Sequence, residues 1–130
     1  MQVTIIGTGN MARGIGSRVL AGGHELTVVG RKAESAEAVA AELGGDVRTA
    51  TEGDGLDADV VVLAVYYPDA RGVVERHRDR LSGRTVVDIS NPLNETFDGL
   101  VVPPERSAAQ ELAELAPDAR FDDVIAAFRR

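Results

Sequence analysis

The chain has 130 residues, a length that suits one domain, and 44% of them are hydrophobic, which predicts a globular core. The formal net charge of -7 disfavours nucleic acid, because phosphate backbones are bound by basic patches. The absence of cysteine excludes disulfides and thiolate chemistry. No apolar stretch reaches the roughly 20 residues of a membrane span, and an apolar strand begins at Val3 without a preceding leader. We therefore expect a cytoplasmic protein that binds neither nucleic acid nor membrane.

Apolar runs punctuated by glycine and proline predict alternating strands and helices. The predicted strands cover residues 3–6, 26–29, 47–49, 60–65 and 85–89. The predicted helices cover residues 10–21, 33–43 and 68–81, where glycines follow each end. Residues 51–57 read as a loop, residues 91–105 as an extended loop, and residues 108–116 as a further helix. Residues 121–128 carry apolar side chains at helical spacing.

This order of elements predicts an α/β fold with right-handed crossovers and a doubly wound parallel sheet, which is a Rossmann-like architecture. We expect the strand order 3-2-1-4-5 in a single domain of residues 1–130. Residues 1–119 form its core and residues 120–130 an amphipathic tail. The ligand then lies at the carboxyl ends of the first and fourth strands, where the winding reverses.

A glycine-rich turn follows the first strand. Gly7 permits a tight turn, Gly9 lets the backbone approach a pyrophosphate, and Ala12 lets the helix pack close to the sheet. The free amides of the helix then face the phosphates. The turn therefore predicts a dinucleotide site formed by residues Gly7, Thr8, Gly9, Asn10, Met11 and Ala12. The alternative is a glycine-rich turn with only a structural role.

The end of the second strand indicates which dinucleotide binds. NAD-binding domains place an acidic residue near this point to hold the ribose 2′-hydroxyl. Here Arg31 and Lys32 occupy it, 24 and 25 residues after Gly7. An arginine grips a phosphate bidentately, and Thr8 and Ser35 add hydroxyl donors. We therefore expect NADP(H), with a solvated basic turn as the alternative.

Four stretches resemble the NADP oxidoreductase family that uses the deazaflavin coenzyme F420. They are Ile6-Gly7-Thr8-Gly9-Asn10-Met11-Ala12, Val29-Gly30-Arg31-Lys32, Val60-Val61-Val62-Leu63-Ala64-Val65 and Val86-Val87-Asp88-Ile89-Ser90-Asn91-Pro92-Leu93. The last stretch is the most specific, whereas the Gly-Asn-Met-Ala turn is shared with pyrroline-5-carboxylate reductases. The resemblance covers residues 3–121.

The resemblance implies hydride transfer between NADPH and a deazaflavin, with coenzyme F420 as a possible second cofactor. It assigns the pyrophosphate to residues 8–11 and the 2′-phosphate to Arg31 and Lys32. It places Ala64 and Val65 along the ribose and nicotinamide. It assigns the nicotinamide pocket to three residues beyond the fifth strand, Ser90, Asn91 and Pro92; a turn that starts a loop is the alternative for these three.

Two departures from the family pattern affect what can be carried over. Family members usually have a proline directly after the fourth strand, where this chain has Tyr66-Tyr67-Pro68. Members also continue with a sixth strand and further helices, whereas the tail here predicts a helix. We therefore expect the family's C-terminal part, and with it half of the active site, to be absent or replaced.

The candidate catalytic residues are Tyr66, Tyr67 and Asp88. If the fourth strand runs through the tyrosines, they face opposite sides, so that one can reach the ligand while the other packs. Either phenol could serve as a proton donor or stacking surface, and plain packing is the alternative. Asp88 either orients a ligand or accepts hydrogen bonds from neighbouring backbone amides, because a buried carboxylate needs donors. His77 falls on the apolar stripe of its helix and is expected to be structural, and no residues have metal-ligand spacing.

The function predicted is an NADP(H)-dependent oxidoreductase that acts on a deazaflavin or a small organic substrate. The alternative is a non-redox module that keeps the cleft for cofactor sensing, or for another small molecule as a cyclase or isomerase. A fifth strand left at the sheet edge would favour a homodimer, because native proteins rarely leave such an edge bare.

Overall fold

The computed structural model describes residues 1–89, apart from the side chain of Tyr67, and the backbone of residues 120–123. Six strands and three helices lie in these ranges. The strands are β1 (Gln2–Ile6), β2 (Glu25–Gly30), β3 (Val47–Thr51), β4 (Val60–Leu63), β5 (Thr85–Asp88) and β6 (Arg120–Asp123). The helices are α1 (Asn10–Ala21), α2 (Ala33–Leu43) and α3 (Tyr67–Leu81). The predicted loop 91–105 and helix 108–116 lie outside the described residues.

All six strands pair in parallel, in the order β3-β2-β1-β4-β5-β6. The predicted order 3-2-1-4-5 is confirmed. The register aligns Ile6 of β1 with Val29 of β2 and Leu63 of β4, so these three strands end at one level. The chain reverses its winding between β1 and β4, which places a crevice at their carboxyl ends.

The prediction of a helix in the tail is wrong for residues 120–123. These residues form β6, which pairs with β5 from Thr85↔Arg120 to Asp88↔Asp123. Because β6 pairs with β5, β5 is not an edge strand, and the argument for a homodimer from a bare β5 does not hold. A periodicity spread over eight residues does not exclude a four-residue strand whose partner is supplied by the sheet.

Two apolar layers hold the helices against the sheet. On one face Ile5 and Val28 pack with Ala12, Ala36 and Val39 of α1 and α2. On the other face lies a second buried group that joins β1, β2, β4 and β5 to α3: Ile6, Val29, Leu63, Ala70, Val74 and Val86. Burial on both faces explains the continuous apolar run of β4. None of the described helices is long and apolar enough to cross a membrane.

The fourth strand ends earlier than predicted. It stops at Leu63, and α3 begins at Tyr67, one residue before Pro68, because proline is accommodated in the first turn of a helix. Tyr66 therefore precedes a helix. The fourth strand does not run through the two tyrosines, so the condition under which they would face opposite sides is not met. The helix is kinked at His77, whose φ and ψ are -123° and 19°.

Candidate functional site

The glycine turn locks the end of β1 between its two neighbouring strands. The Gly7 amide donates to the Val29 carbonyl at 2.9 Å, and the Ala64 amide donates to the Ile6 carbonyl at 2.8 Å. Gly7 has a φ of 134°, and a Cβ there would lie 2.2 Å from the Ala64 oxygen. Only glycine fits this position, so Gly7 sets how closely β4 approaches the turn.

The start of α1 faces open space. Gly9 is its N-cap residue and makes no side-chain cap hydrogen bond, and no acidic residue lies in the first turn. A Cβ on Gly9 would meet nothing within 4 Å, and Gly9, Asn10 and Met11 are exposed. The first amides of a helix have no intrahelical partner, so this end can accept an anion that approaches the backbone closely. Ala12 is buried against the sheet, as the sequence predicts.

A cavity of about 350 Å³ adjoins the turn at the carboxyl ends of β1 and β2. Its walls include six residues that the sequence singled out as cofactor ligands or phosphate donors, namely Gly7, Thr8, Arg31, Lys32, Ser35 and, after β4, Val65. It also includes Glu52, Asp69 and Arg76, which the sequence analysis missed as site residues. The cavity thus joins the turn to the basic end of β2.

Arg31 and Lys32 are both exposed at the mouth of this cavity. The Arg31 guanidinium donates to the carboxylate of Asp69, in the first turn of α3. Lys32 is the N-cap residue of α2, and Ser35 lies in the first turn of that helix. Two cations and the start of α2 therefore lie beside the place where a 2′-phosphate is expected, together with the carboxyl groups of Asp69 and of Glu34 in the first turn of α2.

The cavity lining also includes an ion pair between the residue that follows β3, Glu52, and Arg76 of α3. Arg76 donates to the two carboxylate oxygens of Glu52 at 2.8 and 2.6 Å, and the His77 Nε2 lies 3.3 Å from Glu52 Oε2. The hydrogen bond from Arg76 holds the pKa of Glu52 below its ordinary value, against a smaller opposing effect of burial. The kinked helix thereby ties its His77 side chain, which is 18% exposed, to the loop after β3.

A further arginine, Arg13 of α1, forms hydrogen bonds to the glycine turn and to α2. Arg13 Nη1 donates to the Thr8 carbonyl at 2.5 Å, and its Nε donates to Glu42 near the end of α2. The hydrogen bond between the two side chains raises the pKa of Arg13 and lowers that of Glu42. With its carbonyl engaged, Thr8 holds the turn in one orientation. The sequence signal was the position of Arg13, one helical turn after Gly9.

Two of the three predicted catalytic residues, Tyr66 and Asp88, are not among the residues that line this cavity. Tyr66 is 64% exposed before α3, and Asp88 is fully buried at the end of β5. Neither of them lines the cavity, and nothing is described of the Tyr67 side chain. Ser90, Asn91 and Pro92 lie outside the described residues, so their roles stay predictions. Among the side chains that the structure describes in residues 1–89, no three of His, Asp or Glu are grouped to hold a metal ion.

Comparison with protein families identifies the chain. The model of the family described as NADP oxidoreductase, coenzyme F420-dependent, matches residues 2–92. The chain belongs to this family. The matched region begins with β1 and includes the glycine turn, the basic end of β2 and all of β4 and β5.

Solved structures of a hypothetical protein and of two reductases share the fold of this chain. A hypothetical protein from Sinorhizobium meliloti is 28% identical, with a TM-score of 0.81, over 95% of this chain and 60% of that one. An imine reductase from Streptomyces aurantiacus is 28% identical, with a TM-score of 0.67, over 95% and 40%. A pyrroline-5-carboxylate reductase from Coxiella burnetii is 25% identical, with a TM-score of 0.68, over 93% and 42%. The chain thus spans 40 to 60% of the length of these three proteins.

Proposed function

We propose that the chain binds NADP(H) and forms the nucleotide-binding part of a reductase. One observation carries this proposal: the glycine turn and the two cations at the end of β2 open into the same cavity. The residues fit the cofactor, because open space lies beside Gly9. A glycine without a side chain lets a pyrophosphate approach the backbone there. The cavity mouth adds positive charge for a 2′-phosphate.

The proposed binding roles follow the positions of these residues. The amides at the start of α1 hold the pyrophosphate, and Arg31, Lys32 and Ser35 hold the 2′-phosphate. Ala64 and Val65 lie along the ribose and nicotinamide, with Ser90, Asn91 and Pro92 assigned to the nicotinamide pocket by the family resemblance. Bound NADPH supplies the hydride, so the protein has to orient the nicotinamide rather than provide an acid–base pair.

The hydride acceptor we propose is a deazaflavin of the F420 type or a small imine. The family description names coenzyme F420, and the matched solved structures include an imine reductase and a pyrroline-5-carboxylate reductase. A homodimer, in which a second copy completes the acceptor side, belongs to this proposal and is measured by light scattering at micromolar concentration. So does a cytoplasmic location, because a chain without cysteine has no need of an oxidising compartment.

The second candidate is a module that binds NADP(H) without turnover, as a sensor or a structural unit. This candidate needs no catalytic side chain in the cavity, which agrees with the absence of Tyr66 and Asp88 from its lining. Because hydride transfer needs no acid–base pair either, a measurement of turnover decides between the two candidates. A version that converts another small molecule, as a cyclase or isomerase, would instead need these side chains beside a ligand.

Calorimetric titration with NADP+ and NAD+ tests the binding proposal. We expect NADP+ to bind more tightly than NAD+. Arg31→Ala should weaken NADP+ about tenfold or more, since hydrogen bonds to charged groups contribute about 1.5 to 3 kcal/mol, and should leave NAD+ affinity within about twofold. Arg18→Ala, which removes an exposed arginine at the far end of α1, is the matched control and should change neither affinity. Failure of the purified chain to bind either dinucleotide would overturn the proposal.

Turnover is tested separately by NADPH absorbance with oxidised coenzyme F420 or a cyclic imine. Consumption of NADPH that depends on one of these acceptors supports the reductase. Tight binding of NADPH without consumption supports the module without turnover.

A further inference from the structure

The cavity carries an acidic side chain in an unexpected place. Asp69 comes from α3, 38 residues beyond Arg31, yet its carboxylate accepts a hydrogen bond from the Arg31 guanidinium. Both side chains line the cavity, and both are exposed to ligand, with 78% of Arg31 and 41% of Asp69 accessible. The pair therefore spans the opening where a 2′-phosphate would enter.

Besides Lys32, two other charged side chains line the cavity, Glu52 and Arg76, and these two are paired with each other. Glu52 is held by two hydrogen bonds from Arg76. Asp69 also lies close enough to Arg76 to raise its pKa, although the Glu52 hydrogen bond has the larger effect. Arg31, by contrast, gives Asp69 a hydrogen bond from Nη2 and is largely exposed. It is therefore the guanidinium for which an incoming phosphate would compete with the Asp69 carboxylate.

We propose that Asp69 determines how strongly the site discriminates between phosphorylated and unphosphorylated dinucleotides, an inference that rests on the proposed NADP(H)-binding function. A guanidinium presents one planar fork, which matches either a carboxylate or a phosphate. A 2′-phosphate that pairs with this fork in a bidentate way competes with Asp69, which accepts a hydrogen bond from Arg31 Nη2, and it binds beside the negative charge of Asp69. A free 2′-hydroxyl does not compete for Arg31 in this way, and it can donate a hydrogen bond to the Asp69 carboxylate, as it does to the acid at the end of strand 2 in NAD-binding domains.

Asp69 thus supplies, from a different element, the carboxylate that the end of β2 lacks. It lowers the ratio of NADP(H) affinity to NAD(H) affinity that Arg31 and Lys32 create, and it allows some binding of NAD(H). Removing its charge should release Arg31 and widen the preference.

Calorimetry of the intact chain with NADP+ and NAD+ tests this role through Asp69→Asn. We expect NADP+ affinity to rise about three- to tenfold, the range set by an exposed ion pair plus a like charge removed from the phosphate. NAD+ affinity should stay the same or fall. Glu75→Gln is the matched control, because it removes a carboxylate from the same helix that pairs with Arg71 outside the cavity; neither affinity should change.

Asp69→Asn made together with Arg31→Ala separates two effects of Asp69 on NADP+ affinity. One is competition with the phosphate for Arg31, and the other is repulsion between the Asp69 carboxylate and the phosphate. In the Arg31→Ala background, Asp69→Asn should raise NADP+ affinity less than in the wild type, because no guanidinium is released. An equal gain in both backgrounds, or no gain over Glu75→Gln, would overturn the role of Asp69 while leaving the NADP(H) function intact. No binding of either dinucleotide by the wild type would overturn both.

Discussion

Replacement of Gly7 by alanine tests the geometry on which the site is built. A Cβ at this position would lie 2.2 Å from the Ala64 oxygen and 2.9 Å from its carbon, both of them backbone atoms. The φ of 134° is a region that side chains rarely adopt, and such strain costs about 1 to 3 kcal/mol. Relieving the overlap by shifting β4 costs about 1 to 3 kcal/mol more. We therefore expect Gly7→Ala to lower the free energy of unfolding by about 2 to 6 kcal/mol.

Urea denaturation followed by circular dichroism measures this loss. Gly14→Ala is the matched control, since Gly14 is exposed within α1 and a Cβ there meets nothing within 4 Å. Its helix position predicts a gain of about 0.5 to 1 kcal/mol. If Gly7→Ala unfolds within about 0.5 kcal/mol of the wild type, a change typical of surface substitutions, the close approach of the turn to β4 is refuted.

Three further predictions concern the cavity and its supports. Gly9→Ala should leave the unfolding free energy nearly unchanged but weaken NADP+ at least tenfold by calorimetry, because its Cβ occupies pyrophosphate space; unchanged affinity would contradict this. Arg13→Met should weaken NADP+ about three- to tenfold while sparing 2′-AMP, which lacks the pyrophosphate, because Arg13 acts on the cofactor only through the Thr8 carbonyl and a typical hydrogen bond contributes about 0.5 to 1.5 kcal/mol; equal losses would refute a role in the turn. Because Arg76 lowers the pKa of Glu52, the pair stabilises the fold above about pH 4.5 and this contribution is lost as pH falls further. The Tm advantage of the wild type over Glu52→Gln should therefore shrink from pH 6 to pH 3, and a constant difference would contradict the ion pair.

The sequence predicted those parts of the fold that local signals determine. The bounds of α1 and α2 are as expected, because Gly22 and Gly44 follow their last residues. The strand order followed from alternation and handedness. The tail could not be predicted in this way, since pairing of Phe121 with Val86 depends on a neighbour 35 residues away rather than on local periodicity.

The candidate site divides along the same line. The turn and Arg31 belong to one contiguous motif, so spacing alone placed them together. Asp69 and Glu52 contact their cationic partners only after β3, β4 and α3 converge at the carboxyl edge of the sheet, over sequence separations of 38 and 24 residues. Their signal was position, since each follows closely after a strand that ends at the cavity.

A crystal structure of the chain with NADP+ tests the central claim most directly. The account predicts the pyrophosphate on the amides of Gly9, Asn10 and Met11, with the 2′-phosphate beside Arg31 and Lys32. Density for the dinucleotide elsewhere, or an adenosine directed away from the end of β2, would contradict it.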